Sequence, residues 1–379
     1  MTGAYIRGVG LASALGLDAA TAVSTLLRQA ARPSIARLDG LADTLALNYY
    51  RIPDGAELFD PERLERLLPE VARAAAAGLQ DSQRRTLPVF VGSSCFSVGL
   101  AEAEYAAALT HNKGTAVSMP RCDYDYPARL ACEALGSGGE TWAYNTACSS
   151  SANALLAALR FLEAGDYDHA LVLGVECANR TSLAGFSGLQ VLAEEVRPFD
   201  AARRGMVLGE GVAAVLLSAI HVPGAPRILG GASNCDTHNP TTANPDGRSV
   251  AEVLRLALSR TGTAAADVRA VKVHGTGSLS GDQAEAAGLI QVFPTMPPLS
   301  GLKAYIGHSL GACGVVELVL FAGALQRGLI PATAGFNTPD PALGLHPLSE
   351  HRPTQAGRYL LNHFGFGGNN SVLVLEQPA

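Results

Sequence analysis

The chain has 379 residues, 48% of them hydrophobic and only 16% charged, with a formal net charge of −6. A chain of this size buries roughly three quarters of its unfolded surface, which suits two or three average domains or one large layered unit. The acidic balance argues against a nucleic-acid partner. The seven scattered cysteines hold no CxxC pair and no Cys/His metal spacing, the pattern of a reducing cytoplasm. No apolar stretch reaches the ~20 residues of a membrane span.

In chain order, Ile6 to Gly16 reads as a strand closed by a glycine turn, and a helix begins near Asp18 as its N-cap. A secretory leader is the competing reading of residues 1–22. The single charge, Arg7, and the glycines and Ser13 that interrupt the apolar run speak against it. A helix over Pro61 to Leu79 and a strand over Leu87 to Gly92 follow. The strand-like run Glu140 to Ala147 stops at Cys148. Ala152, Leu155, Leu156, Leu159 and Leu162 then recur at helical spacing, predicting a helix from Ser149 to Ala164. Cys148 thus stands at a strand-to-helix corner. Orphan N–H groups and the positive end of the helix dipole favour a thiolate there, which predicts a thiol more reactive than a free one. The bland alternative is a small buried hydrophobe.

Strands over Ala170 to Val175 and Val212 to Leu217 come next, and the linker Val222-Pro223-Gly224-Ala225-Pro226 divides the chain. Beyond it lie a helix over Ser249 to Thr261 and a strand over Ala270 to Val273 that runs into His274-Gly275-Thr276-Gly277. Lys303 and His308 precede a helix over Gly311 to Arg327. Asn362-His363-Phe364-Gly365-Phe366-Gly367-Gly368 precedes a last strand, Ser371 to Leu375. This alternation argues an α/β fold. His274, the Lys303–His308 segment and the glycine-rich turn each follow a strand, where α/β sheets place functional groups. A thiol on a helix N-terminus with two imidazoles on separate strand ends suits acyl transfer from a thioester. A lone histidine is more often a satisfied core or surface residue, but two in glycine-flanked strand ends are less easily dismissed. A metal site is disfavoured: there is no His-x-x-x-His pair, and no carboxylate lies between Lys303 and Gly314. Gly365 to Gly368 is followed by a strand rather than a helix, so it is not a phosphate loop. Its glycines permit positive φ and close backbone approach.

These motifs resemble those of the β-ketoacyl-acyl carrier protein synthases, the decarboxylating condensing enzymes of fatty acid and polyketide synthesis. The likeness runs from Ile6–Gly16 through Arg197-Pro198-Phe199-Asp200 and Val207-Leu208-Gly209-Glu210-Gly211 to Gly365-Phe366-Gly367-Gly368. Cys148, His274 and His308 with Lys303 resemble the elongating branch. The initiating branch pairs one His with an Asn, and thiolases carry a second catalytic Cys that is missing from Asn362 to Asn370. The resemblance implies a thiolase-type fold: two pseudo-repeated halves, 1–222 and 223–379, in five αβαβα layers, with the site where they meet.

It also implies roles. Cys148 would take the acyl group from a carrier-bound thioester, with the backbone N–H groups of Cys148 and Phe366 as oxyanion donors. His274 and His308 would stabilise the enolate left when malonyl thioester loses CO2. Lys303 would hold positive charge nearby, and Glu317 would pair with it or orient water. Phe366 would gate the acyl pocket, flanked by Phe364 and Gly367, with a loop bearing Asp236 and His238 against it. Asp282 and Glu285 would fix the loop after His274. No organic cofactor is implied, since the substrates ride on the phosphopantetheine of an acyl carrier protein. A homodimer or a heterodimer with a homologous subunit is expected. The segment Pro120-Arg121-Cys122-Asp123-Tyr124-Asp125-Tyr126-Pro127 departs from a usually more apolar stretch. It suggests a specialised acyl substrate, as in secondary-metabolite or aryl-polyene pathways. His363 is also unusual and within reach of the site. The competing function is a catalytically silent, chain-length-factor-like subunit that shapes the pocket of a paired synthase. Cys148, His274, Lys303 and His308 together argue against it.

Overall fold

The computed structural model describes residues 3–39, 44–111, 119 and 121–379. Pro120 lies outside them. In the first half, strands β1 (Ala4–Ser13), β2 (Val89–Gly92), β3 (Thr141–Tyr144), β4 (His169–Glu176) and β5 (Gly211–Ser218) lie side by side in the order β3-β2-β4-β5-β1. In the second half, β6 (Arg227–Cys235), β7 (Val268–Val273), β8 (Leu299–Gly301), β9 (Gly357–Phe364) and β10 (Asn369–Gln377) lie in the order β8-β7-β9-β10-β6. Both orders are third-second-fourth-fifth-first. The directions match as well. β2 is parallel to β3 and β4, and β5 is antiparallel to β4 and β1. Likewise β7 is parallel to β8 and β9, and β10 is antiparallel to β9 and β6. Among the described residues, the two sets pair edge to edge where Ala4 and Tyr5 face Ile228 and Arg227. Residues 219–226, which include the Val222–Pro226 linker, span the gap between β5 and β6.

The helices that build the layers and carry the site are α1 (Ala19–Leu26), α2 (Arg63–Ala76), α3 (Tyr126–Leu135), α4 (Ser150–Ala164), α5 (Arg248–Thr261), α6 (Leu279–Val292), the short α7 (Lys303–Ile306) and α8 (Cys313–Gln326). Side chains alternate across each strand, so Phe90 faces one layer while Val89 and Val91 face the other. One core joins α4 and α8 to both sheets, through Leu155 and Phe321 against Phe90, Val172, Leu361 and Leu373. A second core lies between α2, α3 and the far face of the first sheet, and a third between α5, α6 and the far face of the second. That makes five layers, and it explains why β4 and β5 are buried at every position. The central helices touch closely: a Cβ on Gly314 of α8 would stand 2.2 Å from the backbone nitrogen of Ala152 in α4.

Local signals act as expected at Asp18, whose Oδ1 accepts the Thr21 N–H at 2.8 Å. The run Glu140–Ala147 yields a shorter strand, because the chain leaves the sheet after Tyr144 to form a corner. Residues 310–312 form a 3₁₀ turn, and α8 begins at Cys313 rather than Gly311. Among the described residues no helix is long and apolar enough to cross a membrane.

Candidate active site

Cys148 lies between β3 and α4, directly after Ala147, which adopts φ +52. A non-glycine residue in the left-handed region signals a corner that its surroundings over-determine. Here Ser149 Oγ donates to the Thr146 carbonyl at 2.8 Å, and Asn153 Nδ2 to Thr146 Oγ1 at 2.9 Å. The thiol is turned inward and is 6% exposed. His308 Nε2 lies 3.1 Å from Sγ, and the N–H groups of Phe366 and of Cys148 itself point at the sulfur.

The acidity of this thiol reverses the expectation from its helix position. Burial pushes it up to about 12, against the pull of Lys303 and the two N–H donors. A helix end stabilises a nearby anion, but removing that anion from water costs more in this dry corner. The resting group is a thiol, with an imidazole nitrogen 3.1 Å from its sulfur.

His274 sits just past β7, in a loop held by two buried carboxylates. Glu285 accepts the N–H groups of His274 and Gly275 at 2.8 and 2.9 Å. Asp282 accepts those of Gly277 and Phe199 at 3.1 and 2.7 Å. His308 is clamped against the Val207–Gly211 segment: its N–H donates to Val207 O at 2.8 Å, and Gly209 N–H donates to its carbonyl at 3.0 Å. Gly307, with φ +72, has no room for a Cβ, which would lie 2.8 Å from the Leu208 carbonyl. The two imidazoles are perpendicular, 5.4 Å apart, and line one cavity with Cys148, Phe364 and Phe366. Burial, then the charge on Lys303, hold both well below the ordinary histidine range, so both are neutral near pH 7.

Lys303, fully buried on α7, donates to Glu317 Oε1 at 2.7 Å and lies 3.4 Å from His274 Nδ1. Burial opposes charge on both partners. The buried ammonium groups of Lys272 and Lys303 nonetheless hold Glu317 below the ordinary carboxylate range, and Cys313 and Glu317 lift Lys303 above its own. Two further groups escaped the sequence reading. Cys313 Sγ lies 3.1 Å from His308 Nδ1. Lys272 is fully buried and donates to Glu317 Oε2. A signal for Lys272 existed, because a lysine in the inward phase of the apolar run Ala270–Val273 needs a buried counter-charge.

The glycine-rich turn closes the cavity. Phe366 stacks on Phe186, with ring centroids 5.6 Å apart and planes 10° from parallel. Gly367 and Gly368 have φ +72 and +71, and a Cβ on Gly368 would stand 1.8 Å from the Asp236 carbonyl. Asp236 N–H donates to Gly368 O at 2.8 Å, so its loop does rest on this turn. His238 departs from expectation. Its backbone N–H caps Asp236 Oδ1 at 3.0 Å, but the residue is exposed and does not line the cavity. His363 reaches Lys272 at 3.4 Å, behind His274, and stays out of the cavity. The polar segment around Tyr124 also stays out. Asp123 and Asp125 engage Arg129, and Tyr126 Oη donates to Glu65. The described residues contain no cluster of His, Cys, Asp and Glu that could hold a metal ion.

Comparison with known proteins matches residues 52–220 to the beta-ketoacyl synthase N-terminal domain and 226–337 to the beta-ketoacyl synthase C-terminal domain. The chain is 30% identical over 364 residues to the actinorhodin polyketide putative beta-ketoacyl synthase 1 of Streptomyces coelicolor, covering 85% of this chain and 76% of that one. It is 32% identical over 260 residues to the chloroplastic 3-oxoacyl-[acyl-carrier-protein] synthase I of Arabidopsis thaliana, covering 64% of this chain. It spans only 55% of that relative's length. Among solved structures, the ketosynthase ApeO in complex with its chain length factor ApeC, from Xenorhabdus doucetiae, superposes with a TM-score of 0.84 at 27% identity. That match covers 99% of this chain and 98% of the other.

Proposed function

This chain belongs to the β-ketoacyl synthase family, and we propose that it catalyses decarboxylative Claisen condensation between an acyl group on Cys148 and malonyl-acyl carrier protein. The observation that carries the reading is one cavity lined by a thiol, a proton acceptor 3.1 Å from it, and a second neutral imidazole. In the first half-reaction Cys148 Sγ attacks the acyl thioester while His308 Nε2 receives its proton. The oxyanion is met by the N–H groups of Cys148 and Phe366, and losing one such donor costs on the order of 3 kcal/mol. The tetrahedral adduct collapses, and the proton passes to the departing phosphopantetheine sulfur.

Malonyl thioester then enters. Its C–C bond breaks, CO2 leaves, and the electron pair becomes an enolate whose oxygen lies against the imidazoles. Lys303 donates to Nδ1 of His274, so the ring proton sits on Nε2, ready to hydrogen-bond that oxygen. The enolate carbon attacks acyl-Cys148. β-Ketoacyl thioester departs, and the released Cys148 sulfur takes a proton from solvent through His308. In this reading residues 1–222 supply the nucleophile, and residues 223–379 supply the imidazoles, Lys303 and the gate.

The partners are an acyl carrier protein and a second, identical or homologous, synthase subunit. The open edge at β3 is a place where another sheet can pair. The enzyme needs no organic cofactor of its own and works in the cytoplasm. Its acyl substrate is a specialised one of the polyketide kind, in line with the actinorhodin polyketide relative from Streptomyces coelicolor. A silent pocket-shaping subunit would have no use for the thiol–imidazole pair. Intact-protein mass after incubation with a panel of acyl thioesters tests the reading, on wild type and Cys148→Ala. An adduct present in wild type and missing from the variant is expected. No adduct from any donor would overturn it, and a clear preference for saturated chains would overturn the specialised substrate.

A further inference from the structure

The layer behind His274 holds more charge than the condensation chemistry uses. Lys272 points from β7 toward the central helices and has no exposure. Its Nζ donates to Glu317 Oε2 and, at 2.6 Å, to the carbonyl of Asn362, with His363 Nδ1 at 3.4 Å. Lys303 holds the other oxygen of the same carboxylate, Oε1. One buried carboxylate therefore carries two buried ammonium groups, one on each oxygen. Only one of them, Lys303, reaches an imidazole of the cavity.

We propose that Lys272 is a positioning residue for the Lys303–His274 pair: by occupying Glu317 Oε2, it holds the carboxylate so that Lys303 keeps an N–H free for Nδ1 of His274. Without Lys272, that oxygen would lose its ammonium partner in a dry layer. The carboxylate would then turn both oxygens toward Lys303, drawing Nζ away from the imidazole. His274 would lose what keeps its proton on Nε2. Lys272 also leaves the cluster with one positive charge in excess of Glu317, behind the imidazole that faces the malonyl group. This role rests on the reading of His274 as the enolate donor.

Lys272 faces Glu317 and Cys313 from α8, Lys303 from α7, His363 from β9 and Glu285 from α6. Burial pushes Lys272 below the ordinary lysine range, while Lys303 is held above it. Lys272 is then the first of the two to release its proton as pH rises. Decarboxylation should fall on the alkaline side before acylation of Cys148 does.

The test uses the full chain with ¹⁵N-labelled histidine, wild type and Lys272→Met, and assigns His274 by its loss in His274→Gln. Ring ¹⁵N spectra near neutral pH should show a single Nε2–H tautomer in wild type, with Nδ1 as a hydrogen-bonded acceptor. The variant should show a mixture. CO2 release from malonyl-acyl carrier protein should drop by about tenfold or more, the scale of one hydrogen bond to a charged group. That drop should exceed any loss in acyl-Cys148 formation, and the alkaline limb should disappear. If the Met variant does not fold, Lys272→Gln separates the two contributions: its N–H still occupies Glu317 Oε2, so the single Nε2–H tautomer should persist while the alkaline limb disappears. An unchanged tautomer and an unchanged pH profile would overturn the proposal. Wild type that forms no acyl-Cys148 and releases no CO2 would instead overturn the condensation reading, while the ring spectra would still decide the role of Lys272.

Discussion

Alkylation of Cys148 by iodoacetamide measures how the site treats its nucleophile. Burial places the thiol at about 12. At about pH 7.5 that leaves roughly one molecule in 30,000 as thiolate, whereas an ordinary thiol near 8.5 is thiolate in about one in ten. Iodoacetamide consumes the thiolate, so Cys148 should react about 3,000-fold more slowly than a free thiol of equal access. Its rate should climb about tenfold per pH unit through at least pH 10 without levelling. The readout is the mass of the Cys148 peptide, because Cys235 is exposed and alkylates as well. Acylation by a thioester should not share this profile, since His308 takes the proton during attack. A plateau in alkylation below about pH 8 would refute the reasoning. It would mean that the helix N-terminus, Lys303 and the two N–H donors outweigh burial after all.

Three further outcomes follow from the geometry. His274→Ala should retain the acyl-Cys148 adduct, since the thiol faces His308, yet lose about 10²–10⁴-fold in CO2 release from malonyl-acyl carrier protein. Equal losses in the two half-reactions would contradict the division of labour between the imidazoles. Gly314→Ala should lower stability by about 1–3 kcal/mol or more by forcing α8 from α4, read as a drop in the thermal midpoint; an unchanged midpoint would show that the helices can part. Glu176 binds the N–H groups of Ser94, Cys95 and Gly311, and burial pushes it up to about 7. Its folded pKa is raised, so its stabilisation is complete below the unfolded value near 4.3 and is lost as pH rises through about 7. In urea titrations, wild type should lose about 2 kcal/mol relative to Glu176→Gln between about pH 5.5 and 7.5. A constant difference between the two would place the proton elsewhere.

Much of the site is written locally. The change of period from strand to helix marks the corner at Cys148, and strand ends mark His274 and the glycine-rich turn, because each depends on neighbours a few residues away. Asp282 and Glu285 follow His274 closely enough that their hold on its loop was legible too. The misreadings share one cause. The helix beside Cys148 predicts an acidic thiol, but burial governs it. The strand before it ends sooner than its pattern predicts, because nothing in Asn145-Thr146-Ala147 announces the left-handed turn at Ala147. His238 shares a loop with Asp236, which rests on the glycine-rich turn, yet is itself exposed.

By itself the sequence determined the α/β alternation, the positions of the thiol, the imidazoles, Lys303 and the glycine-rich turn, and, through their resemblance, the family. Only the tertiary structure decided the company they keep. Cys148 and His308 are 160 residues apart, and Lys272 and Glu317 are 45 apart. Periodicity and capping are set by the backbone within a turn or two. Proton affinity and ion pairing are set by whatever the fold brings within a few ångströms, and by how much water it leaves there.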